Sequence, residues 1–125
     1  MSSPSEITIP SSDSMVSVKA FDILRSTSSV PANVFLEPVL PGREAMVGLP
    51  AYSFLIEHGK RRVMFDLGPR KDMENYAPKL KEGFPSLPGF NVQVDKDVVE
   101  QLTEGGVELG SIDTVIWSHT HLDHT

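Results

Sequence analysis

Three of the four histidines fall in the last seven residues, His119-Thr120-His121-Leu122-Asp123-His124-Thr125, directly behind the run Thr114-Val115-Ile116-Trp117. That run has the length and β-branching of a buried strand. The histidines therefore open the loop at its C-terminal end, where α/β folds keep their site residues. With four His and eight Asp in the chain, a chance match to H-x-H-x-D-H has odds of roughly a few in ten thousand. The interleaved Thr, Leu and Asp also distinguish the cluster from a purification tag.

The chain has no cysteine, which excludes a disulfide framework, a thiolate metal site and a Cys nucleophile. Any metal must be held by imidazole and carboxylate, the ligands that Zn²⁺ accepts. If the backbone past the strand stays extended, His119 and His121 project to one side and can reach one metal together. Asp123 and His124, adjacent where the chain must turn, can face a second position. Two metals roughly 3.5–4 Å apart can hold a bridging hydroxide and polarise the carbonyl or phosphoryl group it attacks. A catalytic zinc takes three protein ligands and an open position, so these four residues supply about half of a double site.

The remainder reads as one α/β domain over residues 15–125 behind a Ser-rich leader, 1–14, that is expected to be disordered. From Val16 to Ile23 an alternating pattern shifts by one residue, which predicts a strand with a bulge. Pro31, Pro38, Pro41 and Gly42 keep the next segment irregular, with Val34, Phe35, Leu36, Val39 and Leu40 expected to pack as a cover. Tyr52 to Glu57 and Arg62 to Leu67 form a predicted β-hairpin around Gly59. The second of these strands ends in Asp66-Leu67-Gly68, which sets a carboxylate at a strand end. His58, in the hairpin turn, is assigned to solvent. One short helix is expected from Asp72 to Leu80, cut by Pro78. A second, capped by Asp95 and running to about Gln101, presents Val98, Val99 and Leu102 on one face and stops at Gly105-Gly106.

Eleven Lys and Arg against 17 Asp and Glu give a formal charge of -6, so no positive field gathers phosphates and nucleic acid is not an expected partner. No apolar stretch approaches the roughly 18–20 residues a bilayer requires, and the N-terminus lacks the order of a signal peptide. The expectation is a soluble cytoplasmic protein that does not bind membranes.

His119-x-His121-x-Asp123-His124, the hydrophobic strand before it and the upstream strand end Asp66-Leu67-Gly68 together resemble the metallo-β-lactamase superfamily over roughly Tyr52 to Thr125. Leu49 to His58 followed by Phe65-Asp66-Leu67-Gly68 is most similar to its lactonase-like hydrolases. The resemblance implies an αβ/βα sandwich of which this chain is the N-terminal half. It also implies a dinuclear site, usually of two Zn²⁺, and hydrolysis of an ester, lactone, amide or thioester in a small-molecule carbonyl substrate. By matching positions, His119 and His121 bind the first metal and Asp123 and His124 the second. Asp123 also orients the attacking water as the catalytic residue, and Asp66 is a candidate for contact with the ligands from behind. The family draws further ligands from segments downstream of H-x-H-x-D-H. The expectation is therefore a truncated chain, or one piece of a larger protein, that leaves one apolar sheet face exposed and is weak alone. Two other readings stand beside it. One is a non-catalytic metal-binding remnant, or a fragment that pairs with another chain supplying the missing ligands; the other is an iron-dependent oxidoreductase on the same scaffold, since His and carboxylate also suit iron.

Overall fold

The computed structural model describes residues 10–83 and 86–125. Residues 1–9 of the expected leader lie outside the described residues, and Pro10 to Ser14 are exposed without regular structure. Six strands follow in chain order: β1 (Ser17–Asp22), β2 (Ser29–Pro31), β3 (Ala45–Val47), β4 (Tyr52–His58), β5 (Arg61–Phe65) and β6 (Thr114–Ile116). Among the described residues two α-helices, α1 (Pro78–Glu82) and α2 (Val98–Glu104), lie between β5 and β6.

The main sheet has the order β1-β4-β5-β6, antiparallel except for the parallel pair β5 and β6. The predicted hairpin is β4 and β5, joined through Gly59 in the left-handed region at φ 59° and ending with His58 exposed. Parallel neighbours need a long crossover, and here it contains α2. Both β5 and β6 therefore end on the same edge of the sheet, and their C-terminal loops are brought together.

Register decides what each face carries. Ser53, Leu55 and Met64 point to the side covered by α2, where Ile23, Leu55, Met64, Val98, Leu102 and Val107 form the core. The opposite side aligns Val18 with Ile56, Ala20 with Phe54, and Phe65 with both Phe54 and Ile116. Val18, Tyr52 and Ile116 are exposed there. One apolar sheet face is thus open among the described residues, as expected.

Several expectations need correction. Strand β1 runs without a bulge, pairing residue for residue from Ser17 with Glu57 to Asp22 with Tyr52. The shift in the sequence arises because both faces carry apolar residues, with Phe21 toward the core and Val18 and Ala20 on the open side. Lys19 takes a core-side place at the sheet margin, where its Nζ lies 3.0 Å from Glu57. The segment expected to be irregular contains the two-stranded sheet β2-β3, and Val34, Phe35, Leu36 and Leu40 are exposed rather than a cover.

Pro78 opens α1 instead of cutting a helix, because its missing N–H costs nothing in the first turn. A 3-10 turn at Met73–Asn75 precedes it. The cap of α2 is Asp97, not Asp95. Its carboxylate accepts from the Glu100 N–H while the Glu100 carboxylate accepts from the Asp97 N–H, a complete capping box. Gly105 ends this helix as expected. Strand β6 is not buried: it is an edge strand, with Val115 48% and Trp117 57% exposed. Among the described residues no helix is long and apolar enough to cross a membrane.

The core makes a paired prediction. Leu55 is fully buried, and Leu55→Ala is expected to cost about 2–5 kcal/mol by leaving a cavity. Its neighbour on the same face, Ser53, is also fully buried, and among the described residues its hydroxyl has no partner. Ser53→Ala should therefore be neutral or stabilising by up to about 1 kcal/mol. Denaturant unfolding of both variants checks the pair, and a large loss at Ser53 would contradict this account of the core.

Candidate metal centre

The site forms where the ends of β5 and β6 meet. The Asp66 N–H donates to the Ile116 carbonyl at 2.9 Å, and the Leu67 N–H donates to the His124 carbonyl at 3.2 Å. These bonds fasten the histidine loop to the segment that follows β5. The loop is not an extended continuation of β6. It bends from Ser118 and closes a turn in which the His124 N–H donates to the His121 carbonyl at 3.0 Å. His119 and His121 meet because of this bend, not by strand alternation.

Four expected residues come together as two pairs. His119 Nε2 and His121 Nδ1 are 2.9 Å apart, and His124 Nε2 lies 3.2 Å from Asp123 Oδ2. The His119 ring also lies against the His124 ring, centroid to centroid 4.1 Å. Among the described residues no three His, Asp or Glu side chains converge as a ready cage. The donor chemistry nevertheless suits a metal. Two ligands bound at 2.0–2.1 Å to one tetrahedral zinc stand roughly 3.3 Å apart. The imidazole pair is a few tenths of an ångström from that span, and the His124–Asp123 pair is close to it.

Asp66 sits behind both pairs. It is 3% exposed and holds a positive φ of 57°, a conformation that Asp tolerates better than most side chains. Its Oδ1 accepts from the Ser118 N–H at 2.8 Å. Its Oδ2 accepts from the Ser118 hydroxyl at 2.8 Å and lies 2.7 Å from His124 Nδ1. Burial pushes the Asp66 carboxyl upward, but the Ser118 N–H, His124 and the Ser118 hydroxyl outweigh it and hold the group below its ordinary value. The contact with the histidine cluster expected of Asp66 is present, and the same side chain also caps the loop through the Ser118 N–H.

Two residues of this neighbourhood were not singled out from sequence. Ser118 joins Asp66 to the first histidine, its Oγ lying 2.9 Å from His119 Nδ1. Its only signal was its place between strand and motif. Tyr76 is buried, and its phenol oxygen accepts from the Arg70 N–H at 2.7 Å, which ties down the loop after Gly68. Burial raises the Tyr76 phenol above its ordinary value against the pull of the Arg70 N–H and guanidinium, with smaller upward contributions from Asp72 and Asp123.

Known proteins resemble this chain in sequence and in fold. Residues 46–125 match the family model for the metallo-beta-lactamase superfamily. A gamma-lactamase of Fusarium pseudograminearum (strain CS3096) is 37% identical over 127 residues, covering 97% of this chain and 30% of that protein. A metallo-hydrolase of Annulohypoxylon moriforme is 36% identical over 126 residues, covering 97% of this chain and 32% of that protein. The chain spans about a third of the length of these relatives. Among solved structures, an N-acyl homoserine lactone hydrolase with N-hexanoyl-L-homoserine bound at its catalytic metal centre superposes with a TM-score of 0.61. It is 20% identical, and the match covers 84% of this chain and 42% of the hydrolase.

Proposed function

This chain belongs to the metallo-β-lactamase superfamily, and on that premise we propose that it carries the motif half of a zinc-dependent hydrolase site for an ester, lactone or amide bond in a small molecule. Its sheet, with α2 on one face and an open apolar face opposite, is the N-terminal half of that family's αβ/βα sandwich. The observation that carries the reading is the pairing itself. His119 with His121, and Asp123 with His124, form two donor pairs, each near the span of ligands on a single ion.

In this reading His119 and His121 hold the first zinc, and Asp123 and His124 the second. Bound zinc would lower the pKa of a water toward neutrality and polarise the substrate carbonyl. The protein's own groups do the rest. Asp123, exposed at the mouth of the loop, orients the attacking water and accepts its proton. Asp66 holds the His124 ring by its Nδ1 face and so keeps Nε2 turned toward Asp123. A cyclic amide or ester is the favoured substrate class, given the gamma-lactamase and lactone hydrolase to which the chain is similar.

The experiment is metal removal and return. After chelator treatment, added zinc should bind, and the weak turnover of γ-lactams and acyl lactones that half a site supports should be lost on metal removal and recovered on its return. Zinc binding without any turnover would favour the competing reading, a metal-binding chain that needs ligands from another. Turnover that survives complete metal removal would contradict the proposal outright.

A further inference from the structure

We infer that Ser118 is a positioning residue that fixes the ring proton of His119 on Nδ1 and thereby leaves His119 Nε2 as the open lone pair. The inference deepens the proposed function and rests on it for its consequence, metal capture.

The Ser118 hydroxyl has one proton and three neighbours within hydrogen-bond distance, Asp66 Oδ2, His119 Nδ1 and, farthest at 3.3 Å, His124 Nδ1. Asp66 Oδ2, at 2.8 Å, belongs to a buried carboxylate that can only accept. His119 Nδ1, at 2.9 Å, can accept or donate according to tautomer. The anionic acceptor makes the stronger bond, so the hydroxyl proton goes to Asp66. What Ser118 Oγ then offers to His119 is a lone pair. Two lone pairs facing each other at 2.9 Å would repel, so His119 must bring the proton on Nδ1. His124 follows the same accounting. Its Nδ1 lies 2.7 Å from Asp66 Oδ2 and 3.3 Å from Ser118 Oγ, and it can only donate there.

The consequence appears at the other side of the rings. With Nδ1–H fixed, His119 Nε2 carries a lone pair, and the 2.9 Å contact to His121 is an N–H of His121 Nδ1 donating to it. A metal entering between the two rings meets His119 already in the ligand tautomer. His121 alone must lose its Nδ1 proton to solvent and take one up on Nε2. Ser118 and Asp66 thus pre-set one of the two rings that face the first metal position. Hydrogen bonds of this kind behind a ligand are the part of a metal site that selects tautomer and ring orientation.

Long-range proton–nitrogen correlation of the imidazoles in the metal-free protein reads the tautomer directly. Wild type should show His119 as the Nδ1–H form. Ser118→Ala should move it toward the Nε2–H form that free neutral imidazoles favour, and Ser118→Thr, which keeps the hydroxyl, should restore it. Zinc affinity by chelator competition should fall about 10- to 100-fold in Ser118→Ala and stay near wild type in Ser118→Thr. A wild-type His119 carrying its proton on Nε2 overturns the inference without recourse to any variant, which covers the case of an alanine variant that does not fold. An unchanged tautomer in Ser118→Ala overturns it equally. Wild type with the expected tautomer but no zinc binding would uphold the role of Ser118 and instead sink the proposed function.

Discussion

Asp66→Ala is expected to lose about 2–5 kcal/mol of folding stability and, in whatever protein still folds, about 10- to 100-fold in zinc affinity. Three donors depend on this carboxylate, namely the Ser118 N–H, the Ser118 hydroxyl and His124 Nδ1. The last two can turn partly toward water, because His124 and Ser118 are not fully enclosed. The Ser118 N–H, fixed by the backbone, loses its acceptor, and a part-buried group left without its partner costs up to about 1–3 kcal/mol. Alanine must also hold the positive φ of this position, at about 1–2 kcal/mol more than in ordinary backbone. The affinity loss reflects removal of the support behind His124. Asp66→Asn separates these contributions. It tolerates the backbone and can still accept from the Ser118 N–H, so its stability loss should be less than half that of alanine. Its amide cannot act as a charged acceptor for both His124 and Ser118, so much of the affinity loss should remain. Equal stability for the alanine and asparagine variants would show that the backbone and the N–H bond matter less than argued here.

The joint replacement His119→Ala, His121→Ala should have the opposite profile. Both side chains are exposed, and exposed substitutions away from packed features change stability by about 0.5 kcal/mol or less. Zinc affinity should nevertheless fall by at least about 100-fold, since losing two direct ligands exceeds the 10- to 100-fold typical of losing their support. Chelator competition reads the affinity, and a denaturant melt reads the stability. A variant that binds zinc as wild type does would remove the first metal position from the account. One that unfolds would mean that the rings hold the loop together instead of waiting for an ion.

Much of this was legible in the chain because the decisive features are local. The H-x-H-x-D-H spacing confines four donors to one short loop, and any bend that closes it brings them near each other. The β4-β5 hairpin and the Gly105 stop of α2 were legible for the same reason, since turn chemistry acts over a few residues. Long-range partners were less visible. Nothing in Ser118 itself tells that its hydroxyl meets a carboxylate 52 positions away. Strand β6 reads as buried because Val115, Ile116 and Trp117 are apolar, yet apolarity states what a strand can cover and not what covers it. The short strands β2 and β3 were masked by the prolines around them, including Pro31, which closes β2 at its last residue. The α2 cap was misplaced by two residues because Asp95 and Asp97 are both good caps, and the choice is made by Glu100, which only Asp97 has at the third helical position.

Under the proposed function, two donor pairs, and not four scattered polar residues, face metal at the joined ends of β5 and β6. Cobalt(II) titration of the metal-free protein tests it most directly, because the visible absorption of cobalt reports nitrogen and oxygen ligands without requiring turnover. A saturable spectrum is expected in wild type, with one component removed by His119→Ala, His121→Ala and a different component removed by Asp123→Ala, His124→Ala. A wild-type spectrum that survives unchanged in both double variants would contradict it.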